Sequence, residues 1–212
     1  KSAMKEGLIQ NLSLDFIYPK TNQKDKLYTL SKQDQEKLTN YILENKSAKS
    51  LGILLTLYSG IRIGELCALQ WKDIDFKNNI LHINKTLQRV YIKDTQINAS
   101  KVIITNPKTH NAEREIPLNK EFAYELKKYR TNEDDYIISC NDKWIEPRTY
   151  RRFFERISKK AKIEKINFHG LRHTFATNCI KLGVDYKTVS ELLGHATVNI
   201  TLNLYVHPQM AQ

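Results

Sequence analysis

Residues 169–183 read His169-Gly170-Leu171-Arg172-His173-Thr174-Phe175-Ala176-Thr177-Asn178-Cys179-Ile180-Lys181-Leu182-Gly183. The run predicts a helix from His169 to about Leu182, stopped by Gly183, because a glycine just past a helix end can take the left-handed backbone that closes it. Arg172 falls one helical turn after His169, so an imidazole and a guanidinium leave the same face. Two more short helices follow: Lys187 to Leu193, stopped by Gly194, and one leading into Tyr205.

Outward from this stretch the helical pattern continues. Pro147 is well placed as a first helical residue. In the helix it opens, Tyr150, Phe153, Phe154, Ile157 and Ala161 share one side, while Arg148, Arg152 and Lys159 point the other way with Lys162 near them. Alone, such a basic face is ordinary solvated surface; beside a phosphate-seeking site it becomes a DNA-facing helix. Further upstream, Ser31 is a predicted N-cap with Asp34 at the reciprocal capping position, and Leu38, Tyr41 and Ile42 form the inward stripe. Leu51 to Tyr58 is almost wholly apolar and reads as a buried helix ended by Gly60, with a short helix starting near Ile63. Between Asn79 and Leu118 the period changes to two. Ile80–Ile83, Val102–Ile104 and Glu115–Leu118 are predicted strands of one antiparallel sheet, with Pro107 to Glu113 as a polar turn and Asn119 as the next N-cap. The expected fold is mainly α with a small three-stranded antiparallel β-sheet. Residues 1–26 read as a connector, polar and Lys-rich around Pro19, and residues 27–212 as one domain.

In 212 residues, Lys plus Arg number 34 against 23 Asp plus Glu, a formal charge of +11 that predicts attraction to polyanions, nucleic acid first among them. Cys67, Cys140 and Cys179 are scattered and odd in number, which excludes a disulfide framework and a thiolate zinc site and points to a reducing cytoplasm. No metal-ligand motif and no phosphate-binding glycine loop is present, so no cofactor is expected. No apolar run is long enough to span a bilayer, and no signal-peptide pattern opens the chain. The first residue is Lys1, and N-terminal sequence is expected to be missing.

Six residues stand out: Arg62, Lys108, His169, Arg172, His195 and Tyr205. They sit in Ser59-Gly60-Ile61-Arg62-Ile63-Gly64-Glu65-Leu66, in His169-Gly170-Leu171-Arg172-His173, in Leu192-Leu193-Gly194-His195 and in Leu204-Tyr205-Val206-His207, with Lys108 in the turn Asn106-Pro107-Lys108-Thr109-His110. Two guanidiniums, an amine, two imidazoles and a phenol suffice for metal-free attack on a phosphodiester. Order and contexts resemble the catalytic domain of the tyrosine recombinases, the phage-type integrases, from about Leu27 to Pro208.

A phosphodiester repels nucleophiles, and the transition state of attack concentrates more charge on its free oxygens. Arginine suits that site because its planar fork donates parallel hydrogen bonds and stays charged. Arg62 and Arg172 are the expected clamp, each worth ~10²–10³ in rate by mutational analogy. Tyr205 is the expected nucleophile; among 11 tyrosines only its place after the Gly194-His195 element selects it, Tyr186 and Tyr58 lacking that spacing. His169 is the expected proton-transfer partner, and His195 the expected donor to a phosphate oxygen or the attacking group. By resemblance, Lys108 matches the hairpin lysine that protonates the leaving 5′ oxygen, and Glu65 matches an acidic position that supports the site without catalysing.

The resemblance implies cleavage through a 3′-phosphotyrosyl link, strand exchange without ATP or metal, and a homotetramer on double-stranded DNA, with accessory directionality and bending proteins possible. It also implies a smaller N-terminal core-binding domain that closes around DNA. The long segment Lys85 to Ser100 favours an integrase of a phage, genomic island or conjugative transposon over an Xer-like chromosome dimer resolvase. Two rivals stand beside it: a non-catalytic helix-turn-helix protein built on Gly183 to Tyr205, and a relaxing topoisomerase with the same nucleophile.

Overall fold

The computed structural model describes residues 28–93, 98–105 and 113–205. Ser31 opens α1 (Lys32–Glu44), its hydroxyl accepting from the Asp34 N–H at 3.1 Å and so satisfying one orphan donor of the first turn. Asp34 does not reach back to close the expected capping box. Its carboxylate instead accepts from Lys37 at 3.3 Å and from the Glu164 N–H at 3.4 Å.

Helix α2 (Ala48–Ser59) is apolar nearly all round and buried nearly all round. A helix with no polar face must occupy the centre of the packing. Leu38 and Ile42 of α1, Trp71, and the rings of Tyr150 and Phe154 share its cluster. Each fully buried aliphatic or aromatic side chain there contributes roughly 1.5–3 kcal/mol. Gly60 ends the helix at φ 68, where a Cβ would also lie 2.5 Å from the Phe175 ring. Only glycine meets both demands. The short α3 (Ile63–Ala68) follows directly, then one 3-10 turn at Trp71–Asp73.

Two antiparallel sheets form where one was expected. Strands β1 (Ile74–Asp75), β2 (Ile80–Ile83) and β5 (Arg114–Pro117) make a three-stranded sheet in the order β1-β2-β5, with Leu81 opposite both Ile74 and Ile116. Val102–Ile104 does not join it. Those residues belong to β4 (Asn98–Thr105), which pairs with β3 (Thr86–Lys93) as a separate hairpin. Burial gives the reason. Leu87 is buried, but Val90 and Ile104 keep 36% and 43% of their surface exposed, so the hairpin has too little apolar face to lie on the core. Its root is fixed instead by close approach to α3, where a Cβ on Gly64 would lie 2.7 Å from the Leu87 carbonyl oxygen. The expected connector over residues 1–26, and most of the turn that carries Lys108, lie outside the described residues.

Asn119 caps α4 (Lys120–Lys127), accepting from the Phe122 N–H at 3.0 Å. Helix α5 (Pro147–Lys160) begins at its proline and buries Tyr150, Phe154 and Ile157. Ala161, just past its end, is buried as well, whereas Phe153 is half-buried at the edge with the Lys49 ammonium 4.8 Å from its ring centre. Arg148, Arg152 and Lys159 are exposed on the opposite side, as expected. Three C-terminal helices complete the described chain: α6 (His169–Lys181), α7 (Tyr186–Leu193) and α8 (Val198–Tyr205). Gly183 and Gly194 close the first two at φ 84 and φ 63. No helix among the described residues is long and apolar enough to cross a membrane.

Candidate active site

The site is organised by the end of α7. Once the Gly194 and His195 N–H groups have turned back to Glu191 and Ser190, the carbonyls of Leu192, Leu193 and Gly194 have no helical donor. Each is taken by a different arginine: Arg114 Nε at 2.7 Å, Arg172 Nη2 at 2.7 Å and Arg62 Nη2 at 3.1 Å. The negative end of a helix dipole thus gathers three guanidiniums that would otherwise repel one another.

Glu65 supplies the second counterweight. Only 4% exposed, it accepts from Arg62 Nη1 at 2.8 Å, from the Arg62 backbone N–H at 2.7 Å, and from Arg114 Nη1 and Nη2 at 3.1 and 2.8 Å. Burial alone would push its carboxyl pKa up, but the Arg114 hydrogen bond and the charges of Arg114 and Arg62 outweigh it, and the net direction is down. Arg172 is 2% exposed, with Nη1 on the Gly60 carbonyl at 2.7 Å. Burial, then the charge of Arg62, lowers its pKa to about 9, which still leaves it protonated at neutral pH.

Around these cations stand three histidines and the tyrosine. His195 meets the buried Thr201 hydroxyl of α8 through Nδ1 at 2.8 Å, which fixes its ring and leaves Nε2 for another partner. The Tyr205 hydroxyl, in a residue 6% exposed, is 2.8 Å from His173 Nδ1. The His169 ring sits edge-on to His173 with centroids 4.5 Å apart. Burial raises the Tyr205 phenol to about 12 despite the opposing pull of Arg172.

Five of the six expected site residues therefore converge: Arg62, His169, Arg172, His195 and Tyr205 act on one another electrostatically. Lys108 lies outside the described residues. Sequence reasoning missed two members. Arg114 sits on a strand with no local signal beyond alternation. His173 was visible in principle, since it follows His169 at i+4 and so shares its face. Near the site, Ile61, Ile63, Arg151, Asn167, Phe168 and His169 line a cleft of about 380 Å³, which adds Arg151 to the basic residues of α5. Among the described residues no cluster of His, Cys, Asp and Glu could hold a metal ion.

The histidines make stability depend on pH. Burial and neighbouring cations hold the folded pKa of His173 at about 4 and of His195 at about 3, and move His169 down as well. As pH falls below about 6.5, the unfolded chain takes up these protons first, so native stability is expected to decline from there toward pH 4. Thermal unfolding between pH 7.5 and about 4 checks this. The slope should flatten in a His173→Gln/His195→Gln variant, and an unchanged slope would contradict it.

A mostly helical domain whose small sheet and helix ends gather arginines, imidazoles and a tyrosine has the catalytic-domain fold of the tyrosine recombinases. It superposes on the Tn1549 transposon integrase in complex with a circular intermediate DNA, with a TM-score of 0.72, 25% identity, and coverage of 97% of this chain and 70% of that one. The chain belongs to the phage integrase family, whose model matches residues 20–212. One relative is a XerC-like tyrosine recombinase of Caldanaerobacter subterraneus subsp. tengcongensis, 30% identical across 89% of this chain and 52% of its own. Another is the transposase of transposon Tn916 from Enterococcus faecalis, 29% identical across 91% and 49%. The chain thus spans about half the length of these curated relatives.

Proposed function

We propose that residues 27–212 form the catalytic domain of a site-specific DNA recombinase that cleaves and exchanges strands through a 3′-phosphotyrosyl intermediate. The observation that carries this reading is the Tyr205 hydroxyl held 2.8 Å from His173, the residue after Arg172, close to a helix end that already collects three arginines. Arg62 and Arg172 clamp the free phosphate oxygens. Arg172 spends Nη1 and Nη2 hydrogens on carbonyls but keeps further N–H groups for an anion. His195 donates from Nε2, and Lys108 protonates the leaving 5′ oxygen. The bond energy stays in the phosphotyrosine, so the exchange runs without ATP. Arg148, Arg152 and Lys159 on the exposed face of α5 hold the duplex backbone, with Arg151 nearer the cleft.

The assembly proposed is a cytoplasmic homotetramer on double-stranded DNA. An apolar groove of about 620 Å³, lined by Leu43, Tyr58, Phe122, Phe175, Cys179 and Leu182 among others, suits a segment of a neighbouring subunit. The paired β3-β4 hairpin and the likeness to a transposon transposase favour integration and excision of a mobile element. A chromosome dimer resolvase is the second reading, supported by the XerC-like relative. The helix-turn-helix rival fits less well, because α7 and α8 are committed to the site: α7 grips three arginines and α8 turns Tyr205 inward.

The test is a nicked duplex cut from the ends of the genetic element that carries the gene, incubated with the full chain in excess EDTA. A detergent-resistant protein–DNA adduct is expected, with the nucleotide on the peptide that contains Tyr205. Tight binding without any adduct would remove the proposal.

A further inference from the structure

The expected proton-transfer partner was His169, but the only hydrogen bond to the nucleophile's oxygen among the described residues comes from the next histidine on the same face. His173 Nδ1 lies 2.8 Å from Tyr205 Oη, whereas the His169 ring meets the His173 ring at an interplanar angle of 89°. We propose that His173 orients the Tyr205 phenol and accepts its proton as the oxygen attacks phosphorus. This rests on the reading of Tyr205 as the nucleophile.

The geometry favours the assignment in three ways. His173 and Arg172 are consecutive on α6, so the turn that fixes the phosphate clamp also fixes the base. Tyr205 comes from the last turn of α8, packed with Ala176, Val189 and Leu193, so a rigid apolar setting holds the phenol to the imidazole. Tyr205 is only 6% exposed, which limits the access of solvent that could compete with His173 for its proton. The charged and titratable groups facing the imidazole are His169 and Arg172 on its own helix and Tyr205 on α8; Arg62 acts on His169 and Arg172.

The step balances as follows. The Tyr205 Oη–P bond forms while the O–H bond breaks, its proton passing to His173 Nδ1 with Nε2 carrying the other ring hydrogen. The P–O5′ bond breaks, and the leaving oxygen takes a proton from the general acid, the role given to Lys108. On reversal His173 returns the proton to the phenolate. In the free protein burial, then the charges of His169 and Arg172, keep His173 neutral, and burial keeps Tyr205 protonated against the pull of Arg172, so the pair does not ionise idly. A bound phosphodiester brings the negative charge that raises the imidazole pKa and makes the transfer accessible.

The experiment measures the rate of adduct formation by the full chain on the nicked element-end duplex across pH. It compares the native chain, Tyr205→Phe, His173→Asn and His173→Gln, each of the last three also checked for folding and DNA binding. Asn keeps a hydrogen bond near the Nδ1 position but cannot take a proton. The expected result is a fall of about 10² in rate for His173→Asn with DNA binding retained. The imidazole limb of the pH profile should vanish. Substituting a more acidic difluorotyrosine at position 205 should then restore much of the His173→Asn rate. Adduct still formed by Tyr205→Phe would sink the nucleophile assignment itself. Adduct lost there but unchanged in rate and profile in His173→Asn would overturn the inference alone. A rate lowered equally at every pH, and not restored by the acidic phenol, would make His173 a packing residue and overturn it too. If both His173 variants unfold, the difluorotyrosine profile in the otherwise native chain decides: the inference requires the imidazole limb to persist while the phenol limb moves down.

Discussion

Tyr205→Phe is expected to eliminate the covalent adduct while leaving the fold and DNA affinity in place. Removing a covalent nucleophile leaves only positioning and charge stabilisation, and the loss is on the order of 10⁶ in rate. Two other tyrosines among the described residues are engaged elsewhere. Tyr150 is fully buried with its hydroxyl donating to the Lys49 carbonyl at 2.7 Å, and Tyr58 is edge-packed on Phe122 in the apolar groove. The structural cost is small by comparison. Phenylalanine keeps the ring against Ala176, Val189 and Leu193, and only the hydrogen bond to the half-buried His173 is lost. That costs about 1 kcal/mol, a melting shift of roughly 2–4 °C for a domain of this size. Adduct yield on a denaturing gel, duplex affinity and a melting curve check the three parts separately. Persistent adduct in the folded variant would move the nucleophile elsewhere.

Most of the site was legible because its members carry local signatures. Arg172 and His169 share a helix face by spacing, and Gly60 and Gly194 announce the helix ends that supply carbonyls to Arg172 and Arg62. Tyr205 follows a Gly-His element at a recognisable distance. What stayed hidden depends on contacts remote in sequence. Arg114 reaches Leu192 across 78 positions and Glu65 across 49, and nothing in the sequence around it tells of either partner. The hydrogen bond of His173 to Tyr205 spans 32 positions, so helical spacing places the imidazole on the right face without naming what it meets. The sheet failed for a different reason. Val102–Ile104 is a β-branched apolar run suited to a strand, but such a run does not specify its neighbour, and the true third strand, Ile74–Asp75, is too short to leave a period.

Glu65→Ala is expected to be the most destabilising single change in the site, at about 3–5 kcal/mol. The carboxylate is shared by two guanidiniums, of which Arg114 has a side chain only 5% exposed. Without it Arg62, Arg114 and Arg172 would face one another with less negative charge between them, and buried like charges deprived of a counter-charge carry a large desolvation cost. Glu65→Gln separates charge from shape: it keeps one acceptor oxygen, enough for either Arg62 Nη1 or the Arg62 backbone N–H but not both, and removes the negative charge, so it should lose less stability than alanine. Its activity should still fall, by about 10² or more, because Arg62 is no longer aimed. The pH sign follows from the lowered carboxyl pKa. Glu65 stabilises the fold above the ordinary carboxylate value of 4.5, and that contribution is lost as pH falls below it toward the folded pKa. The native chain should therefore show a second acid-induced decline beneath the histidine-driven one, and Glu65→Gln should lack it. Urea unfolding at pH 7 and pH 4 for the three proteins measures both effects. Equal stability of the native chain and Glu65→Ala at pH 7 would show that the arginines hold together without the carboxylate.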